Sequence, residues 1–277
     1  MVFLQNGWPC LWACALACIV FGVFPAFGKT AASLQDALPQ DMHELAGRYR
    51  DGQGVPMDRV RAFELYKASA AQGYAPSDYE LSKFHNGMAG ERVDLAQAHA
   101  HLLRAAERGH AQAQAELAFV YLNGTMAVPR NLQAARQWFE RAAKQGAIVA
   151  QCMLGDFYRD GLGGSRNPVL ALKWYRLTAE KDAACAIKSQ YELYVIYFSG
   201  IGVRKDPSQA IKWLKRSALA GSPQAQKALS MAYRDGNGVE HDPQLARMWL
   251  LRSREGVAPH DDHVHEDESS PSHSHRH

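Results

Sequence analysis

The chain has 277 residues, with 31 Lys and Arg against 28 Asp and Glu, a formal net charge of +3. So mild an excess argues against a nucleic-acid partner, whose phosphates are met by concentrated basic charge. Hydrophobic residues make up 47% of the chain, enough for a folded core and too much for a chain disordered throughout.

Residues 1–28 stand apart from the rest. Leu11 to Phe24 is an almost unbroken apolar run, and Ala26-Phe27-Gly28 supplies the small residues of a cleavage site. This reads as a secretory signal peptide cut before Lys29, although no Lys or Arg precedes the run. The expected location is periplasmic or secreted, with no stable membrane span after cleavage. An uncleaved inner-membrane anchor is the alternative, on a run shorter than the ~20 residues a span needs. Residues 29–41 form a lead-in, where Leu34 and Leu38 suggest a partial capping helix.

From residue 42 the chain repeats itself. A helix-capping residue recurs as Asp58, Asp94, Asn131, Asn167, Asp206 and Asp242, followed four residues on by Ala62, Ala98, Ala135, Ala171, Ala210 and Ala246. Three residues further come Leu65, His101, Trp138, Trp174, Trp213 and Trp249. An aromatic ends the first helix of each unit at Tyr49, Phe84, Tyr121, Tyr158, Tyr197 and Tyr233. Each unit closes at Gly73, Gly109, Gly146, Asp182, Gly221 or Gly256, so the period runs from 35 to 39 residues. Side-chain caps start helices, and glycines that accept positive φ end them. A fixed period of this size means stacked helical pairs. The expectation is an all-α solenoid of about six helix–turn–helix repeats, at 42–73, 74–109, 110–146, 147–182, 183–221 and 222–256. Repeat two departs most, with Glu80 at the leucine position, Leu81 at the small-residue position and His101 for the tryptophan.

The pattern is seen best as Leu229, Ser230, Tyr233, Gly236, Gly238, Val239, Asp242, Ala246 and Trp249. It resembles the Sel-one-like repeat family, relatives of the tetratricopeptide repeats, over roughly residues 42–256. The resemblance implies a right-handed superhelix whose first helices line a concave groove, and a scaffold or adaptor role. It also raises a remote alternative, because some family members have been classed as β-lactamase-like hydrolases. No S-x-x-K, G-x-S-x-G, H-E-x-x-H or P-loop motif is present, and no catalytic residue is assigned. The chain is expected not to be an enzyme.

If the groove is lined as the resemblance implies, the residue after each helix-ending aromatic faces it: Arg50, His85, Leu122, Arg159, Phe198 and Arg234. Phe119, Asp156 and Met231 face it one residue after the small-residue position, as does Tyr191 from two residues before the leucine position. The middle is apolar, around Phe119, Leu122, Tyr191, Val195 and Phe198, and both ends are basic. Such residue types are enriched in interface cores. They point to a protein or peptide partner in the envelope, held by a monomeric scaffold.

Cys10, Cys14 and Cys18 leave with the signal segment, so Cys152 and Cys185 remain. They precede Tyr158 and Tyr197 by six and twelve residues in neighbouring first helices. On parallel helices that offset is ~9 Å, too long for a disulfide unless extra linker residues shift the register. Two buried, unpaired thiols are expected. After Gly256 the composition turns polar, and residues 257–277 read as a disordered tail. It holds His260, His263, His265, His273, His275 and His277 among acidic residues, a composition suited to weak, unselective binding of Zn, Ni or Cu. No other cofactor is expected. A periplasmic metal-binding or metal-sensing protein is the alternative function.

Overall fold

The structure is a computed structural model that describes residues 37–87, 93–125 and 127–255. Among these residues the chain is helical and has no strand. The first three pairs are α1 (Pro39–Asp51) and α2 (Arg59–Ala71), α3 (Ala75–His85) and α4 (Leu95–Glu107), and α5 (Ala111–Asn123) and α6 (Leu132–Lys144). The next three are α7 (Ile148–Asp160) and α8 (Pro168–Ala179), α9 (Ala186–Ser199) and α10 (Pro207–Leu219), and α11 (Pro223–Asp235) and α12 (Pro243–Glu255). Each helix packs on the one before it and the one after it in the chain. The architecture is the expected all-α solenoid of helical pairs. No described helix is long and apolar enough to cross a membrane. The signal-peptide reading and the histidine tail lie outside the described residues. Leu38 is the exposed N-cap of α1, which starts at Pro39, and Leu34 lies outside the described residues.

Each second helix starts at the expected cap. The side chains of Asp58, Asp94, Asn131, Asn167, Asp206 and Asp242 accept hydrogen bonds of 2.9–3.0 Å from the backbone N–H three residues on. The same six residues close the hairpin from the other side. Their own N–H groups donate to the carbonyls of Tyr49, His85, Tyr121, Tyr158, Tyr197 and Tyr233 at 2.7–3.0 Å. One short polar residue thus satisfies a helix start and fixes the turn entering it.

The core between pairs is built from small residues that admit large ones. Ala105, Ala118, Ala135, Ala142, Ala150 and Ala210 are fully buried, as are Leu117, Leu154, Leu193, Leu214 and Phe139. Gly155 in α7 lies directly under the Tyr175 ring, and a Cβ there would stand 2.7 Å from its Cδ1. A second device joins consecutive pairs. The buried amides of Gln114, Gln151, Gln190 and Gln226 donate through Nε2 to the carbonyls of Ala106, Ala143, Ala179 and Ala218, at 2.9–3.1 Å. The donor lies 8 residues after the acceptor in three of these bonds, and 11 after it for Gln190.

Two expectations are corrected. In repeat two, the carbonyl that closes the hairpin belongs to His85, not Phe84, and the buried positions are Ser77, Asp78, Tyr79, Leu81, Ser82 and Phe84. The register is therefore one residue later than the aromatic suggested, because Phe84 and His85 are both rings and α3 stops early, before Asn86-Gly87. Leu81 is the regular leucine, Ser82 the small residue, and Asp78 stands where later repeats place the buried glutamine.

The second correction concerns the thiols. Cys152 and Cys185 form a disulfide with Cα atoms 6.3 Å apart. The helical-rise argument fails because Cys185 is not within a helix. It is the residue ahead of α9, at the end of a turn over residues 181–185. The three extra residues revealed by the glutamine spacing lie in that linker, and they let Cys185 reach back to α7.

Candidate functional site

The candidate site is the row of first helices α1, α3, α5, α7, α9 and α11. In two repeats the residue after the helix-ending aromatic meets the next first helix at a residue five before its own aromatic. The Nη1 of Arg50 donates to Oε2 of Glu80 at 2.7 Å, and that of Arg159 to Oε1 of Glu192. Each arginine is also clamped by the aspartate beside it. Arg50 Nε and Nη2 reach the two carboxylate oxygens of Asp51 at 2.8 and 2.7 Å, and Arg159 does the same to Asp160 at 2.8 Å. The guanidinium hydrogen bonds hold the Asp51 and Asp160 carboxyls below the usual carboxylate range. Where the first position is apolar, its opposite number is uncharged: Leu122 is matched by Met153 and Phe198 by Ala228.

The expected groove residues therefore divide. Arg50, Arg159 and Asp156 are engaged within the chain; Asp156 accepts from the buried Tyr175 hydroxyl at 2.8 Å and from Lys188. Burial, with Asp156 alongside, drives the Tyr175 phenol far above its ordinary value. Phe119 is half-buried edge-on against Phe139, ring centroids 5.0 Å apart, and Leu122 packs on the same core. His85 does not occupy the groove position. With the register corrected it replaces the helix-ending aromatic and stacks on His101, centroids 5.3 Å apart. Arg234 chelates Asp235 and is largely exposed.

What remains open is a short apolar row. Tyr191 leans on Tyr194 and Tyr194 on Phe198, centroids 5.7 and 5.6 Å apart. The row emerges at Phe198, 48% exposed, with Val195 at 36% and Met231 at 45%. The residue of α11 at the position matching Glu80 and Glu192 is the small Ala228. A separate concavity of about 580 Å³ lies at the start of the row, lined by residues including His43, Arg48, Arg50, Tyr66 and Glu80. Burial pushes the Tyr66 phenol up to about 12 there.

Sequence reasoning missed the acidic half of the arginine pairs, the glutamine bonds and the cluster around Asp78. Asp78 is 1% exposed and accepts from His101 at 2.9 Å, from Arg104 at 3.2 Å and from Arg108. Arg108 also donates to the Ala70 carbonyl at 3.1 Å, the atom that the missing glutamine would have served. The recurrence of Gln seven residues before Tyr121, Tyr158, Tyr197 and Tyr233 was available as a signal. Among the described residues no group of three or more His, Cys, Asp or Glu could hold a metal ion.

Comparison with known proteins gives the same unit. The Sel1 repeat matches six times, at residues 39–74, 75–110, 111–146, 148–182, 187–222 and 223–256. Over 144 residues the chain is 33% identical to chitin synthase regulatory factor 3 of Schizosaccharomyces pombe, covering 50% of this chain and 16% of that protein. It is 33% identical over 132 residues to an exopolysaccharide production negative regulator of Rhizobium leguminosarum, covering 42% of this chain and 48% of that one. In both cases it spans less than half of the relative's length. The crystal structure of a protective antigen of uropathogenic Escherichia coli superimposes with a TM-score of 0.67 at 30% identity, over 81% of this chain and 47% of that chain. A Sel1 repeat protein of Oxalobacter formigenes superimposes with a TM-score of 0.58 at 28% identity, over 81% and 87%. With the repeat recurring from residue 39 to residue 256, the chain belongs to the Sel1 repeat family.

Proposed function

We propose that the chain is an exported, non-enzymatic scaffold that holds a protein or peptide partner along its first-helix face, with an apolar side chain of the partner over Phe198. The observation that carries this reading is the set of exposed apolar residues Val195, Phe198 and Met231, on a face where Arg50 and Arg159 are paired with Glu80 and Glu192. Exposed apolar groups on successive first helices, here α9 and α11, are the kind of residue that dominates binding energy. Relatives named as regulators of chitin synthase and of exopolysaccharide production fit a protein that acts through others.

The test is affinity capture from envelope extract with the full chain beside a Phe198→Asp, Met231→Asp variant. A discrete partner should be retained by the parent and weakened by about tenfold or more in the variant, the ~1.4 kcal/mol of a modest hot spot. The thermal midpoint should be the same for both proteins. Equal recovery by both, at equal stability, overturns the assignment of this face.

A further inference from the structure

We propose that the concavity at the start of the first-helix row binds a carboxylate carried by a ligand, held beside Gly47 by the Tyr66 hydroxyl and Arg50. Two repeats of this chain are built alike. Tyr66 and Tyr175 hold one place in the pattern, directly after Leu65 and Trp174, where the other repeats place Leu102, Phe139, Leu214 and Leu250. The same two repeats carry the arginines that grip Asp51 and Glu80, or Asp160 and Glu192. In the fourth repeat the Tyr175 hydroxyl donates to Oδ1 of Asp156 at 2.8 Å, and Arg159 Nη1 stands 3.7 Å from that oxygen. Lys188 donates to the other oxygen of the same carboxylate.

The first repeat keeps the tyrosine and the arginine but not the aspartate. Gly47 stands where Asp156 does, three residues before the arginine. Tyr66 is 1% exposed, and among the described residues its hydroxyl makes no hydrogen bond. A buried phenol without a partner costs free energy. Its pKa, pushed up to about 12 by burial, keeps it a donor at neutral pH. Packing does not demand the glycine, since a Cβ on Gly47 would meet only that hydroxyl, at 3.6 Å. The concavity of about 580 Å³ lies here, with His43, Gly47, Arg48, Arg50 and Tyr66 among its lining. It has room for a carboxylate and the group that carries it.

The second cation comes from a different position. Pro76 takes the place of Lys188, four residues before the glutamate, while Arg48, whose counterpart is Phe157, lines the concavity. Two cations thus line this site, as Arg159 and Lys188 surround Asp156. The exposed Glu44, whose counterpart is Met153, lines it too. With Asp51 and Glu80 already on Arg50, that acidic group suits the site to a single carboxylate and not to a phosphate or a polyanion. An acidic side chain, the C-terminus of a peptide and a small free acid all present this chemistry. The inference does not depend on whether the Phe198 row holds a partner.

Nuclear magnetic resonance titration of the full chain, followed at the residue 47 amide and the Tyr66 ring, tests it. The probes are acetate, a blocked peptide with an internal aspartate, a neutral peptide with a free C-terminus, and acetamide as the uncharged control. Carboxylate probes should bind where acetamide does not, and the tightest of them identifies the carrier. Tyr66→Phe should weaken binding about tenfold, the scale of one hydrogen bond to a charged group. Gly47→Asp should abolish it by supplying the carboxylate from within the chain. Without any probe, Gly47→Asp should melt at a higher temperature than Gly47→Ala, and the difference should vanish in a Tyr66→Phe background. No binding of any carboxylate probe, or binding that Gly47→Asp leaves intact, would overturn the proposal. So would a Gly47→Asp protein no more stable than Gly47→Ala, because the first and fourth repeats would then not be equivalent.

Discussion

Asp78 shows what a single residue can do at a position the repeat assigns to something else. Its neighbours in the pattern are neutral glutamines, whereas a buried carboxylate must be compensated by cations or lose its charge. Arg104, Arg108 and His101 supply that compensation. Burial alone would raise the Asp78 pKa, but the hydrogen bonds from His101 and Arg104 and the nearby guanidinium charges leave it lowered. A carboxyl lowered in the folded state stabilises the fold above its unfolded value of about 3.9, and that contribution is lost as pH falls through the folded value. The thermal midpoint should therefore drop on acidification below about pH 4. Asp78→Asn should lower stability at pH 7 by about 2 kcal/mol and flatten the acid limb. An acid limb as steep in the variant as in the parent would assign the pH dependence to other carboxylates. Gly155 makes the opposite kind of demand. Gly155→Ala gains about 1 kcal/mol of helix propensity and loses about 1–3 kcal/mol by overpacking the Tyr175 ring. A net loss in denaturant midpoint, with altered near-ultraviolet dichroism, is the expected result.

At the level of helices and turns, the local punctuation was readable from the sequence because it is chemically self-contained. An Asp or Asn cap needs only the backbone three residues away, so all six caps stand where the spacing put them. Asn167→Ala should cost about 1 kcal/mol, measured as a shift in thermal midpoint. A cost below a few tenths would mean that Pro168 alone organises the start of α8. Register was less readable wherever two adjacent residues could play one part. Phe84 and His85 are both rings, and only burial and the Asp94 hydrogen bond decide between them. Of the pairings between repeats, the glutamine bonds left a recurring residue in the sequence, whereas the charged pairs did not stand out. Arg50 and Arg159 looked like groove side chains because nothing in one repeat reveals which residue of the next will oppose it. The linker before α9 hid the disulfide for a related reason: rise per residue constrains a helix, not the turn that precedes it.

For the whole molecule, stability is distributed along a row of neighbours. Each pair touches the pair before and the pair after, so cooperation passes from repeat to repeat through the alanine surfaces, the glutamine bonds and the arginine–glutamate pairs. The Cys152–Cys185 bond is a covalent link across one of these junctions. It closes a loop of 33 residues, which by chain entropy is worth about 3–4 kcal/mol. Cys152→Ser, Cys185→Ser should unfold at lower denaturant than the oxidised parent and at the same denaturant as the reduced parent. A difference between the last two would show that the serines disturb the junction themselves. The bond also limits how far the chain can be drawn out. Pulled from its two ends, the oxidised solenoid can pay out every repeat except the segment between the two sulfurs. Its fully extended length should stop short of the reduced chain's by roughly 110 Å, 33 residues at 3.3–3.6 Å each. Under load, the junction between α7 and α9 would act as a stop that a reductant releases.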